Sequence, residues 1–382
     1  MSEIAKLLEA LDELAATRQD AVLATVVKVE GSAYRRPGAR MLIPQVGAAL
    51  GTVSGGCLEG DLARKAWWLT EAGVPVVRSY STGVDSDEAG EEEELAFGLG
   101  CNGTVHILLE RIRAGQPFLP AQLLRQVLSA KCPAVLATVI ASGATAVRLG
   151  ERAAVDTTGA LHVLVEHPSL VALLSADLHK TLGLRRSAIQ GYRLDSGEVE
   201  VLFEYLPPPR KLVVFGAGHD AQPLVSLARQ QGWQVAVVDA RSHFARRERF
   251  PEAEQVLNLQ LDHPHDLAAL VADAAVVVMS HSYSQDRHWL EQALRQQPAY
   301  IGQLGPRSRT ERLLGEMAPD VRSLHACACL HYPMGLDIGG DAPESVALSV
   351  LAEITAHFNG RDGRMLKERE APIHDCEPAL HG

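Results

Sequence analysis

The chain has 382 residues, 47% of them hydrophobic and 22% charged, a length that supports two or three domains with their own cores. A net charge of −11 and a pI of about 5.8 argue against nucleic acid and anionic membrane as main partners, since both require a basic footprint. No uncharged apolar run is long enough to span a bilayer.

Residues 1–20 interleave Ile4, Leu7, Leu8, Leu11 and Leu14 with Glu3, Lys6, Glu9, Asp12 and Glu13. That is the spacing of an amphipathic helix, not of a secretion signal. The six cysteines are scattered. Without an export signal, the expectation is reduced thiols in the cytoplasm. Residues 21–29 form an apolar, β-branched run and predict a strand. A loop with the adjacent arginines Arg35 and Arg36 follows, then short strands over 40–43 and 48–53.

Ser54-Gly55-Gly56-Cys57-Leu58-Glu59-Gly60 places a cysteine in a glycine-rich turn, and residues 61–69 read as a helix directly after it. A thiol at a helix start meets the positive end of the helix dipole, which favours thiolate. Gly55 and Gly56 allow a sharp turn whose free N–H groups can face an anion. The plainer alternative is a buried cysteine in a tight strand-to-helix turn. Residues 76–80 predict a strand. The acidic run 85–94 reads as a solvated loop, or else as a lid or docking surface for a basic partner. Gly98-Leu99-Gly100-Cys101-Asn102-Gly103 is a second glycine-flanked cysteine, leading into a strand over 104–109.

An internal echo comes next. Ala21-Val22-Leu23-Ala24-Thr25-Val26 recurs as Ala134-Val135-Leu136-Ala137-Thr138-Val139. The segment 103–110 is echoed by 197–204, with Leu108-Leu109-Glu110 answered by Leu202-Phe203-Glu204. The middle segment therefore reads as a decayed second copy that has lost both cysteine loops. The first copy would then carry the chemistry and the second would be scaffold.

Pro207-Pro208-Pro209 is a stiff linker. After it, a hydrophobic strand leads into Gly216-Ala217-Gly218-His219-Asp220-Ala221, a helix over 223–230, and a strand over 235–238 ending in Asp239. This is the dinucleotide fingerprint in its required strand–turn–helix context. The glycines admit a pyrophosphate, and Asp239 can bond a ribose hydroxyl. Residues 274–279 predict a parallel strand ending at Ser280-His281, and Tyr300-Ile301 starts another ahead of Arg307, Arg309 and Arg312. His281 and Arg307 thus fall at strand ends, where ligands bind in such sheets. Asp286 and His288 read as a polar turn and helix start rather than a metal site. Cys327 and Cys329, with His325 and His331 nearby, lack a complete ligand set for a metal. Asp341 is the expected N-cap of a closing helix, and residues 361–382 read as a tail without fixed structure, His374, Cys376 and His381 included.

The segments 31–38, 54–60 and 98–103 resemble the N-terminal signature of the XdhC/CoxI family. Gly216-Ala217-Gly218-His219, Tyr300-Ile301-Gly302-Gln303-Leu304-Gly305 and Pro333-Met334-Gly335-Leu336-Asp337-Ile338-Gly339 resemble its C-terminal Rossmann domain. The expected fold is a β-rich α/β N-terminal domain with a degenerate repeat, plus a doubly wound parallel sheet. Its divisions are 1–112, 113–209, 210–358 and a tail over 359–382. The resemblance implies a non-enzymatic accessory protein that binds the molybdenum cofactor, as molybdopterin or its dinucleotide form, and protects it during sulfuration. It also implies delivery to an apo molybdenum hydroxylase such as xanthine dehydrogenase, contact with a cysteine desulfurase, and a homodimer. Such a carrier needs soft ligands and anion donors. Cys57 and Cys101 are the candidate molybdenum ligands, and Ser54, Gly55, Gly56 and Arg35 complete that site. Gly216, Gly218, His219, Asp239, His281 and Arg307 form the second candidate set, for a dinucleotide form of the cofactor or for NAD(P). The alternatives are an NAD(P)-dependent oxidoreductase with His219 or His281 as proton donor, and a redox sensor acting through Cys57 and Cys101.

Overall fold

Apolar runs and amphipathic helices gather into two units, Glu3–Pro208 and Pro209–Glu368, each taken by itself below. The structure, a computed structural model, describes residues 3–81, 103–322, 324, 329–370 and 373. Among them no helix is long and apolar enough to cross a membrane.

The first unit is two copies of one pattern. The first copy runs α1 (Glu3–Ala16), β1 (Ala21–Gly31), β2 (Arg40–Pro44), β3 (Leu50–Gly51), α2 (Glu59–Leu69), β4 (Val76–Ser81) and β5 (Gly103–Ile112). The second runs α3 (Leu119–Ala130), β6 (Ala134–Ser142), β7 (Arg152–Val155), β8 (Leu161–Val163), α4 (Pro168–Leu184), β9 (Ala188–Leu194) and β10 (Gly197–Leu206). Their antiparallel sheets have the orders β3-β2-β1-β5-β4 and β8-β7-β6-β10-β9, which are the same topology. The central strand of each copy carries an irregularity at the same place, after Val26 in β1 and after Val139 in β6. The internal echo in the sequence is therefore a structural repeat.

Side chains repeat as well. Thr25 stands opposite Arg40, and Thr138 opposite Arg152. Arg40 reaches across to Glu204 of the second copy, while Arg152 reaches back to Glu110 of the first. Asp61 of α2 is coupled to Tyr80 of β4, whose hydroxyl is pushed up to about 12 by burial and by that charge. In the second copy Tyr192 of β9 donates to Asp177 of α4 at 2.5 Å. Val27, Leu108, Ile140 and Leu202 form a small shared core between the sheets. Burying such apolar surface is the main force joining the copies. The copies differ where β4 meets β5. Residues 82–102 stand there, against the two-residue turn Asp195-Ser196 between β9 and β10. Both Cys101 and the acidic run 85–94 lie outside the described residues.

The second unit is a doubly wound parallel sheet. It runs β11 (Lys211–Phe215), α5 (Ala221–Gln230), β12 (Gln234–Asp239), β13 (Gln255–Asn258), α6 (Ala268–Val271), β14 (Ala274–Val278) and α7 (Tyr283–Gln296). Then come β15 (Tyr300–Gln303), α8 (Arg307–Gly315), α9 (Pro319–Arg322), β16 (Leu330–His331) and α10 (Pro343–Phe358). The strand order is β13-β12-β11-β14-β15-β16. Alternation along β11 explains the two layers. Leu212 and Val214 pack with α5 and α10, while Phe215 faces α7 and stacks on Trp289 at 4.8 Å. The order reverses between β11 and β14, which makes the crevice at their carboxyl ends the ligand position of such sheets.

Two expectations shift at the end of the chain. The N-cap of α10 is Ala342, not Asp341, and no side chain bonds there. Residues 366–368 form a 3-10 turn, and Gly363 lies against Leu336, so this part of the expected tail is ordered. His374, Cys376 and His381 lie outside the described residues.

Candidate functional site

Between β3 and α2 the chain turns with positive φ at Gly55 (89°) and Gly56 (125°), angles that a Cβ resists. The turn aims the N–H groups of Val53, Ser54, Gly55 and Gly56 at one point, and the Glu59 carboxylate fills it at 2.9–3.2 Å. The hydroxyls of Thr52 and Ser54 donate to the same carboxylate. Burial works to raise the Glu59 pKa, but the Ser54 and Thr52 hydroxyls and the Ser54 N–H outweigh it and hold it at about 2. This corrects the expectation of free donors at Gly55 and Gly56, because the loop supplies its own anion. Cys57 sits exposed in the same loop. It precedes rather than opens α2, whose N-cap is Leu58. The Ser54 hydroxyl accepts from Leu58 N–H at 2.9 Å, so Ser54 ties loop to helix.

The loop 31–38 lies beside this turn. A Cβ on Gly55 would stand 2.9 Å from the ring of Tyr34, a contact that leaves no room for a side chain. Tyr34 is itself 67% exposed, so the rest of its ring is open. Arg35 pairs with Glu3 of α1 at 2.8 Å. Both line an open pocket of about 370 Å³ that Tyr34 and Arg36 also border. Gly103 opens β5 against Ser32, where a Cβ would collide with the Ser32 carbonyl oxygen. Segments distant in sequence thus meet at one end of the first sheet. An exposed thiol in a loop that packs on an exposed aromatic ring suits a soft, planar ligand better than a phosphate, since the N–H cradle is already filled.

The glycine turn of the second unit is also engaged from within. Asp239 is fully buried. Its Oδ2 accepts from Ala217 N–H and Arg241 Nη2, and its Oδ1 from Arg241 N–H and Nε. Burial would raise this carboxyl, but the Arg241 and Ala217 bonds hold it below the usual range. No lone pair is left for a ribose hydroxyl unless Arg241 moves. A Cβ on Gly218 would stand 2.5 Å from Asp220 Oδ1. The other Asp220 oxygen meets His281 Nε2 at 2.6 Å. Gly216 has a φ of 125° and packs against Met279 and Ser280 of the facing strand end.

His219 lines a separate pocket of about 500 Å³ with Gln222, Ser226, Arg249 and Glu344. Arg307 is the first residue of α8 and lies over the Tyr332 ring at 5.2 Å. Asp286 accepts from Ser280 and Arg309, the structural role expected of it. Among the described residues there is no group of three or more metal-ligand side chains. Glu353 of α10 joins the segments 300–305 and 333–339. It accepts from Tyr300 at 2.7 Å and Gly335 N–H at 2.5 Å and contacts His331 at 2.9 Å. Cys329 is disulfide-bonded, a departure from the expectation of reduced thiols, and Cys327 lies outside the described residues.

Sequence reasoning passed over Glu59, Tyr34 and Asp220 as site residues. The signal for two of them was an acid close behind paired glycines, which can fold back onto the turn's own N–H groups or glycines.

Comparison with known proteins bears on both units. Residues 14–81 match the sequence model of the XdhC and CoxI family, and residues 212–354 match that of the XdhC Rossmann domain. A Bacillus subtilis (strain 168) protein named as a probable xanthine dehydrogenase subunit is 30% identical over 90% of this chain and 95% of its own. The molybdenum cofactor insertion chaperone PaoD of Escherichia coli (strain K12) is 25% identical over 88% of this chain and 83% of its own. A crystal structure described as a xanthine dehydrogenase from Bacillus halodurans superposes with a TM-score of 0.70 at 28% identity, covering 97% of this chain and 98% of that one. With ordered motifs, both units matched and a relative aligned nearly end to end, this chain belongs to the XdhC and CoxI family.

Proposed function

We propose that this chain is an accessory factor for a molybdenum hydroxylase of the xanthine dehydrogenase type. It binds the molybdenum cofactor as cargo, shields it during sulfuration and delivers it to the apo-enzyme. The observation that carries the reading is the exposed Cys57 thiol, held in a glycine loop that Glu59 locks and whose Gly55 packs against the ring of the exposed Tyr34. Near-full-length similarity to a protein named as a molybdenum cofactor insertion chaperone supports it. Cys57 supplies a soft ligand, Tyr34 a stacking face for the pterin, and Arg35 a cation in the adjoining loop. Cys101 is proposed as the second thiol. A cysteine desulfurase as sulfur source and a homodimer complete the proposal.

The oxidoreductase reading gains no support at the glycine turn, where Asp239 and Asp220 are both engaged. The small molecules that co-purify from a cofactor-producing host separate the two. Fluorescent pterin oxidation products together with molybdenum are expected. A stoichiometric nicotinamide without pterin would overturn the proposal.

A further inference from the structure

The crevice at the carboxyl ends of β11 and β14 has the charge pattern of a dinucleotide site turned around. In such a site a pyrophosphate rests on the glycine turn and an acid takes the ribose hydroxyls. Here the group over the glycine turn is a carboxylate. Asp220 stands at the N-cap of α5 without capping it, and its Oδ1 covers Gly218. Its Oδ2 is held by His281, a residue in the left-handed region at φ 58°. A non-glycine residue rarely rests at that angle unless its surroundings hold it there. Asp220 is a fixed anion, with its side chain only 16% exposed, where a second anion would have to sit.

The end of β12 is reversed in the other sense. Asp239 is buried under Arg241, so the group facing outward is a guanidinium, 31% exposed and stacked over Phe244 at 4.2 Å. The Nη1 donors of Arg241 carry no hydrogen bond among the described residues, while Nε and Nη2 are fixed on Asp239 and on the Ser280 carbonyl. Arg309 is fixed at 2.6 Å on buried Asp286, whose other oxygen accepts from the Ser280 hydroxyl. The two buried carboxylates offset the charge of these arginines. What remains is a set of N–H donors held in place before any ligand arrives, the arrangement that suits a phosphate.

We propose that this crevice takes a phosphomonoester, with its single phosphate at Arg241 and a neutral N–H-donating ring over the Asp220–His281 pair, and that it rejects dinucleotides. The Asp220 carboxylate accepts from the ring and repels a pyrophosphate. The inference stands apart from the reading of the Cys57 loop, because every residue in it belongs to the second unit and its probes contain no molybdenum.

Titration calorimetry of the full chain with guanosine monophosphate, guanosine and NAD+ tests it. Guanine presents adjacent N–H donors to a carboxylate, and comparison with guanosine isolates the phosphate. Guanosine monophosphate is expected to bind at least about ten-fold more tightly than guanosine, the scale of a charge-assisted contact. It should also bind more tightly than NAD+. Asp220→Asn, nearly isosteric, should strengthen NAD+ binding about ten-fold or more by removing the like charge, and weaken guanosine monophosphate. Arg241→Lys should lower affinity for the monophosphate and leave guanosine unchanged. Tighter binding of NAD+ than of the monophosphate in the wild type overturns the proposal. So does an unchanged NAD+ affinity in Asp220→Asn, or no binding of the monophosphate at all. Thermal unfolding of each variant shows that the second unit is intact.

Discussion

Glu204→Ala is expected to lower the unfolding free energy by about 3–5 kcal/mol, because it leaves Arg40 as an unpaired charge in the core. The Arg40 side chain is 7% exposed and that of Glu204 10%. Two charge-assisted bonds join them, at 2.8 and 2.5 Å, and the Gly38 carbonyl is the remaining acceptor. Arg40 Nε already lacks a partner among the described residues, so nothing nearby replaces the carboxylate. The repeat gives this result an internal control. Glu110→Ala leaves Arg152 stranded in the equivalent place and should cost a similar amount. Replacing both partners, as Arg40→Met with Glu204→Leu, should recover most of the loss, since the desolvated charges disappear together. Equilibrium unfolding in urea measures all three. Losses under about 1 kcal/mol would mean that the apolar clusters alone join the two copies.

Glu59→Gln is expected to cost about 1–2 kcal/mol near neutral pH, since solvent screens part of the effect at this half-buried site, and little near pH 2. The sign follows from the direction of the shift. Folding lowers the Glu59 carboxyl from 4.5 to about 2, so the folded state binds its proton less readily than the unfolded chain. The stabilisation is therefore fully present above the ordinary carboxylate range and is lost as pH falls through about 2. Glutamine keeps one acceptor oxygen but turns an N–H group toward donors that need a second. Amide exchange at Ser54, Gly55 and Gly56 should speed up in the variant, because their acceptor is weakened. A stability deficit that does not change between about pH 7 and about pH 3 would contradict a charge-dependent cradle.

The fold was legible because each element had a local cause. The β-branched run at 21–29, the glycine turn at 216–218 and the buried run at 274–279 all stand where periodicity placed them. Even the repeat was visible, in the paired Ala-Val-Leu-Ala-Thr-Val segments. What sequence did not reveal was which polar groups would satisfy one another. Glycine turns predict converging N–H donors, but not that Glu59 would fold back into one or that Asp220 would cover the other. Asp239 stands at the expected strand end, yet Arg241, two residues on, occupies both of its oxygens. The Arg40–Glu204 and Arg152–Glu110 pairs join residues far apart in the chain, and no local spacing announces them. Tyr34 lies in a loop, and no local pattern announces that Gly55 packs against its ring.

Activation of an apo xanthine dehydrogenase-type hydroxylase by cofactor-loaded protein is the decisive measurement, read alongside cofactor bound per chain. Cys57→Ser exchanges one exposed atom and should leave the fold intact. It is expected to lower both values by at least about ten-fold, the scale on which changes at metal sites act. Cys132→Ser alters the other exposed free cysteine among the described residues and should behave as wild type. Full cofactor retention and full activation by Cys57→Ser, with failure of a Cys327→Ser or Cys329→Ser variant instead, would contradict the placement of the site on the Cys57 loop.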